Sequence, residues 1–114
     1  MSLYYAIFSR ATNGGVGASN GILYVIGGNT DTYVTTVNAY DPTTDSWTTK
    51  TSMPTLRAHM ATGVVNGIFY VVGGCTDNAC SNFLSTVEAY DMAADTWTTK
   101  APMPTARRDL LRLA

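Results

Sequence analysis

The chain has 114 residues, of which 46% are hydrophobic, 11% aromatic and 13% charged, with a formal net charge of −1. That size allows one small domain at most, and the apolar share excludes intrinsic disorder, which needs low hydrophobicity and high net charge. The near-neutral balance and a pI of about 5.5 argue against a dedicated nucleic-acid binder, and no apolar run approaches the ~20 residues of a membrane-spanning helix.

Residues 3–8 form an apolar stretch too short, and without the basic flank, for a secretory signal, so the cytoplasm is the default compartment. They fit a strand added to an exposed edge, or lie outside the fold. Residues 10–17 read as a weak, Gly-rich inner strand. Asn20-Gly21 follows, the strongest two-residue hairpin signal. Residues 22–26 (Ile-Leu-Tyr-Val-Ile) are a near-continuous apolar run of the kind a buried strand shows. Gly27-Gly28 closes it, and a loop through Asp31 and Tyr33 leads to a third, more alternating strand over 36–41. Asp41-Pro42-Thr43-Thr44-Asp45 reads as a turn, with Pro at its favoured second position. Trp47-Thr48-Thr49-Lys50 is an edge strand, its threonines suited to half-exposure and its lysine discouraging edge-to-edge pairing.

The same order then recurs. Asn66-Gly67-Ile68-Phe69-Tyr70-Val71-Val72-Gly73-Gly74 repeats residues 20–28 at an offset of 46, and 14 of 22 positions are identical between 36–57 and 86–107 at an offset of 50. The change of offset places a four-residue insertion in the loop after Gly73-Gly74, where insertions are tolerated. The second unit repeats the turn as 91–95 and the last strand as 97–100. The chain is therefore a tandem repeat of two four-stranded units, one over about 11–56 and one over about 57–106. Residues 107–114 begin a third inner strand or form a tail. The 18 threonines suit an all-β chain.

Few residues can carry chemistry. Cys75, Cys80 and His59 make three soft ligands at most, and C-x4-C with the histidine upstream matches no familiar zinc pattern. No G-x-S-x-G, P-loop or H-E-x-x-H occurs. No metal, cofactor or catalytic residue is expected. The two cysteines lie in the longer loop, where they either close a small disulfide or stay as two reduced thiols, the cytosolic default.

The Gly-Gly that closes each second strand (Gly27-Gly28, Gly73-Gly74), a Tyr and a Trp seven positions apart (Tyr40/Trp47, Tyr90/Trp97), and Met-Pro-x-x-Arg after each fourth strand together resemble the kelch repeat, over roughly residues 17–107. The resemblance implies β-propeller blades, with the Tyr and Trp filling the wedge between them. It implies that Arg57 and Arg107 bond neighbouring blades or face a ligand, and that the loop end carries ligand contacts. There the candidates are Asp31, Tyr33, His59, Asp77, Asn78 and Phe83, with Arg57 and Arg107. Propellers close with typically about 4–8 blades, and kelch propellers commonly with six. Two blades per chain then imply a homotrimer, or otherwise a dimer or tetramer. The expected function is a non-enzymatic module that binds a protein segment, peptide or glycan. The alternative is a fragment or subunit of a larger sugar-active kelch enzyme. Neither nucleic acid nor a membrane is an expected partner.

Overall fold

The structure is a computed structural model, and it describes residues 14–28, 33–76 and 80–106. The asparagine-glycine pairs produce what their chemistry favours. Asn20 and Gly21 sit at φ 52° and 76°, Asn66 and Gly67 at 51° and 78°. Positive φ at both central positions is the type I′ turn, whose twist matches that of the flanking strands. Each pair therefore folds its apolar run back on the preceding strand.

The result is two antiparallel four-stranded sheets. The first contains β1 (Gly15–Ser19), β2 (Ile22–Ile26), β3 (Val37–Asp41) and β4 (Ser46–Lys50) in sequential order. The second contains β5 (Ala61–Val65), β6 (Ile68–Val72), β7 (Val87–Asp91) and β8 (Thr96–Lys100), ordered the same way. Among the described residues no helix is long and apolar enough to cross a membrane.

The turns joining the third and fourth strands are held by their first aspartate. Asp41 Oδ1 accepts from the Thr43 N–H at 2.9 Å, and Asp91 Oδ1 from the Ala93 and Ala94 N–H groups at 3.1 Å. The last residue of each turn, Asp45 or Asp95, takes the left-handed conformation at φ 54° or 57°, which aspartate tolerates better than most residues. Register then sets Tyr40 opposite Trp47 and Tyr90 opposite Trp97. The paired rings lie 5.0 and 4.9 Å apart. The Tyr–Trp spacing in the sequence is thus a cross-strand pair within one sheet.

The core lies between the sheets. Tyr24, Ile26, Val37 and Ala39 of the first meet Phe69, Val71 and Tyr90 of the second and Met92 of its β7–β8 turn, and Met53 and Met60 fill in from the connecting segments. The glycines of β1, which weaken it as a strand in isolation, serve this contact. A Cβ on Gly17 would stand 2.6 Å from the Phe69 ring and 2.7 Å from Val64, and one on Gly15 would collide with Thr62. Close approach of β1 to the second sheet requires bare backbone there.

Candidate functional site

The connector leaving β4 clasps the second sheet. Asp95 receives the Thr51 N–H at 2.9 Å, the Thr51 hydroxyl at 3.0 Å and the Tyr90 hydroxyl at 2.6 Å. The Trp97 indole donates to the Thr51 carbonyl at 2.9 Å. Deeper in, the Tyr24 and Tyr90 rings meet edge to face at 6.0 Å, and the Tyr24 hydroxyl reaches the Met92 carbonyl at 3.4 Å. The donors on Asp95, Tyr90 first and then the Thr51 N–H, hold its carboxyl below the usual range. Burial, reinforced by donation to Asp95, raises the Tyr90 phenol far above its ordinary value. Both shifts favour the protonation states that make this hydrogen bond.

This interface is head-to-tail. The face of the first sheet carrying Tyr24 meets the face of the second carrying Tyr90. Through the repeat, the far side of the second sheet duplicates the first of these faces, with Ile68, Tyr70 and Ala89 where the first sheet has Ile22, Tyr24 and Ala39. Together with Thr96, Thr98 and Lys100 they line a shallow groove. The far side of the first sheet duplicates the other face, with Tyr40, Asp45 and Trp47 where the second has Tyr90, Asp95 and Trp97. Asp45 accepts from the Tyr40 hydroxyl as Asp95 does from Tyr90. No equivalent of Thr51 reaches Asp45 among the described residues. Gly63 is the repeat counterpart of Gly17, yet a Cβ there would meet nothing within 4 Å.

Arg57 is fully buried and committed to the second sheet. Its guanidinium donates to the carbonyls of Gly73 and Thr86 at 3.0 Å, to that of Val71 at 3.3 Å, and to Glu88 at 2.8 Å. Thr55 holds the other Glu88 oxygen at 2.8 Å. Burial lowers the Arg57 pKa, and the Glu88 carboxylate opposes that shift. These bonds engage both terminal nitrogens while the buried Nε–H has no hydrogen-bond partner among the described residues, so Arg57 anchors the entry to the second repeat from a fully buried position.

At the loop end, Ala58 and Cys75 exchange two backbone hydrogen bonds at 3.0 and 2.9 Å, and Cys75 bridges onward to Phe83. Cys75 and Cys80 are joined by a disulfide, so the loop carries a closed bridge in place of two reduced thiols. One His59 ring nitrogen and both sulfurs lie within 4.8 Å of one another. Tyr33, a candidate ligand contact at the loop end, is buried at 9% exposure. Its ring stands edge-on to His59 at 6.5 Å, and its hydroxyl lies 3.8 Å from the Cys75 sulfur. Burying that ring removes more apolar surface from water than leaving it in the loop. Phe83 remains 47% exposed. Asp31, Asp77, Asn78 and Arg107 lie outside the described residues.

Sequence reasoning passed over Glu88, Asp95 and Thr51. A signal existed for two of them. Asp45 and Asp95 recur at the same turn position, and Glu88 is a carboxylate flanked by Val87 and Ala89 inside a strand, where burial demands a partner.

A family model described as Kelch motif matches residues 10–54 and again 56–104. No curated protein matches the sequence. The solved structure of YjhT superposes with a TM-score of 0.72 at 20% identity, covering 87% of this chain and 30% of the other. That likeness concerns the fold alone, and the chain spans about 30% of the length of the structure it matches.

Proposed function

The chain belongs to the kelch-motif family, and we propose that it is a non-enzymatic interaction module whose blades join those of further copies into a closed propeller. Its loop end then binds a protein segment, peptide or glycan. One observation carries the assembly: each half of the blade–blade interface present within the chain recurs in the repeat on the other face of the other sheet, and the Tyr70 half lies open as a groove. The Tyr40 and Trp47 half is its complement by sequence, although Tyr40 and Val25 on that face are already buried within the chain. Residue 101, the repeat counterpart of Thr51, is alanine. Its backbone N–H and carbonyl can still serve Asp45 and Trp47 of the neighbour, and only the hydroxyl bond is lost. Gly63 supports the same reading, since a bare strand position facing open space gains its reason when a neighbouring blade packs on it.

Head-to-tail contacts of this kind close into rings when the rotation from copy to copy closes, and otherwise extend into open filaments. Three copies of a two-blade chain make the six blades common in the family. The apolar faces covered contribute roughly 25 cal/mol per Å2, offset by the entropy of association. Light scattering on the purified chain tests the assembly. The expected mass is three times 12.2 kDa. A mass of one chain refutes association, and a mass of two or four chains refutes the trimer. The binding half is tested separately, by peptide and glycan arrays probed with the assembled form. The exposed Phe83 ring on the loop end is the anchor expected to matter, as aromatic anchors do at binding surfaces.

A further inference from the structure

We propose that the loop end holds a redox-gated site for a thiophilic divalent cation, with Cys75, Cys80 and His59 as its three protein ligands. The three residues come from two separate chain segments. The paired backbone of Ala58 and Cys75 brings those segments together and sets His59 beside Cys75. Their ligand atoms already lie within 4.8 Å of one another. A tetrahedral zinc site with Zn–S near 2.3 Å and Zn–N of about 2.0–2.1 Å separates its ligand atoms by roughly 3.3–3.8 Å. Side-chain rotation covers the difference.

The charge balance suits the surroundings. Cys75 is fully buried and Cys80 nearly so, at 8% exposure. Two thiolates, a neutral imidazole and a divalent cation sum to zero, so the loaded site places no net charge among these buried groups. His59 and Cys80 also share the left-handed backbone conformation, at φ 57° and 53°. This is uncommon outside glycine, asparagine, aspartate and histidine, so Cys80 is the unusual case, and such residues tend to cluster at ligand clamps. Two N/S donor types favour zinc-like ions over magnesium or calcium. Three protein ligands leave a fourth position for a water or a further donor, and the Tyr33 hydroxyl lies 3.8 Å from Cys75 Sγ.

The disulfide is the gate. With the two sulfurs bonded to each other, neither is available as a thiolate. A dithiol reductant supplies two electrons and two protons, the Cys75–Cys80 bond breaks to give two thiols, and the reductant leaves as its own disulfide. The cation then binds both sulfurs as thiolates and releases those two protons. In the absence of the ion, a disulfide oxidant that accepts two electrons and two protons, leaving as its own dithiol, restores the bridge. The C-x4-C spacing conceals such a site because the third ligand arrives through sheet pairing.

The test uses the full chain and Co2+ as a spectroscopic probe, before and after reduction by a dithiol that is then removed anaerobically. The reduced chain is expected to bind one Co2+ per chain, with the thiolate-to-cobalt charge-transfer band and the intense visible bands of a tetrahedral site. Zn2+ should displace it, and the oxidised chain should show none of these bands. Asparagine tolerates left-handed backbone, so His59→Asn and Cys80→Asn remove the ligands with little backbone penalty. His59→Asn is expected to weaken binding at least tenfold while keeping a charge-transfer band, and Cys80→Asn to reduce that band and the affinity more severely. The oxidised and reduced wild type carry the test whether or not the variants fold. Absence of a charge-transfer band in the reduced chain overturns the proposal. So does equal binding by the oxidised chain, or unchanged affinity in folded His59→Asn.

Discussion

Valine at Gly17 and valine at Gly63 are the same substitution at equivalent positions of the two repeats, and the structure assigns them opposite effects. At Gly17 the new Cβ falls 2.6 Å from Cε2 of Phe69 and 2.7 Å from Cγ2 of Val64. Favourable carbon contacts lie at about 3.5–4.0 Å. Phe69 is fully buried and has nowhere to retreat. Overpacking of this kind costs about 1–3 kcal/mol, and two further methyl groups put Gly17→Val at the upper end. With a urea m-value of about 2 kcal/mol per molar, the midpoint falls by roughly 1 M or more. At Gly63 a Cβ meets nothing within 4 Å, and its φ is not positive. Gly63→Val within one chain is therefore neutral, or stabilising by up to about 1 kcal/mol through lost freedom of the unfolded state. In the assembled ring the same valine stands where the neighbouring blade must pack, so it lowers the mass seen by light scattering. Urea titrations at several protein concentrations separate the two effects, because only association makes the midpoint depend on concentration. Gly17→Val should lose stability at every concentration. Gly63→Val should lose only the concentration-dependent part. A wild-type midpoint for Gly17→Val, or a Gly63→Val protein that keeps the trimer mass, refutes the packing argument.

Glu88→Ala leaves the Arg57 guanidinium buried without its counter-charge and should destabilise by about 3–5 kcal/mol, as for other broken buried pairs; Glu88→Gln should fall between it and wild type in urea midpoint, and a loss below about 1 kcal/mol in Glu88→Ala would contradict the burial of the pair. Asp95 has its native pKa held below the ordinary value, so its contribution is complete above about pH 4 and fades as the pH falls from there through the lower native value. The stability gap between wild type and Asp95→Asn should therefore narrow on acidification from about pH 7 to about pH 3, and a gap independent of pH would refute the assigned role.

Much of the fold is legible because its causes are local. Asn20-Gly21 and Asn66-Gly67 specify their turns through two residues each, and Asp41 and Asp91 through side chains that reach backbone only two or three residues on. The repeat then supplies the pairing of neighbouring strands, since each strand meets the next in sequence. The Gly-rich β1 looked weak for an equally plain reason: its glycines answer to Phe69, Val64 and Thr62, and nothing within the strand itself requires them. Arg57 was legible as a residue at the junction, but its partners were not. Strand alternation defines two faces and leaves open which of them meets the neighbouring sheet, so Glu88 as its counter-charge and Thr51 as the clasp on Asp95 appear only once the sheets are stacked. The loop end follows the same rule. Cys75 and Cys80 are close in sequence and could be considered as a pair from the outset, whereas Tyr33 lies 42 positions from Cys75. The sequence determined by itself the strands, turns and repeat, which short-range backbone chemistry dictates. The tertiary structure alone decided which faces are buried and which distant side chains meet, because those depend on the packing of one sheet against another.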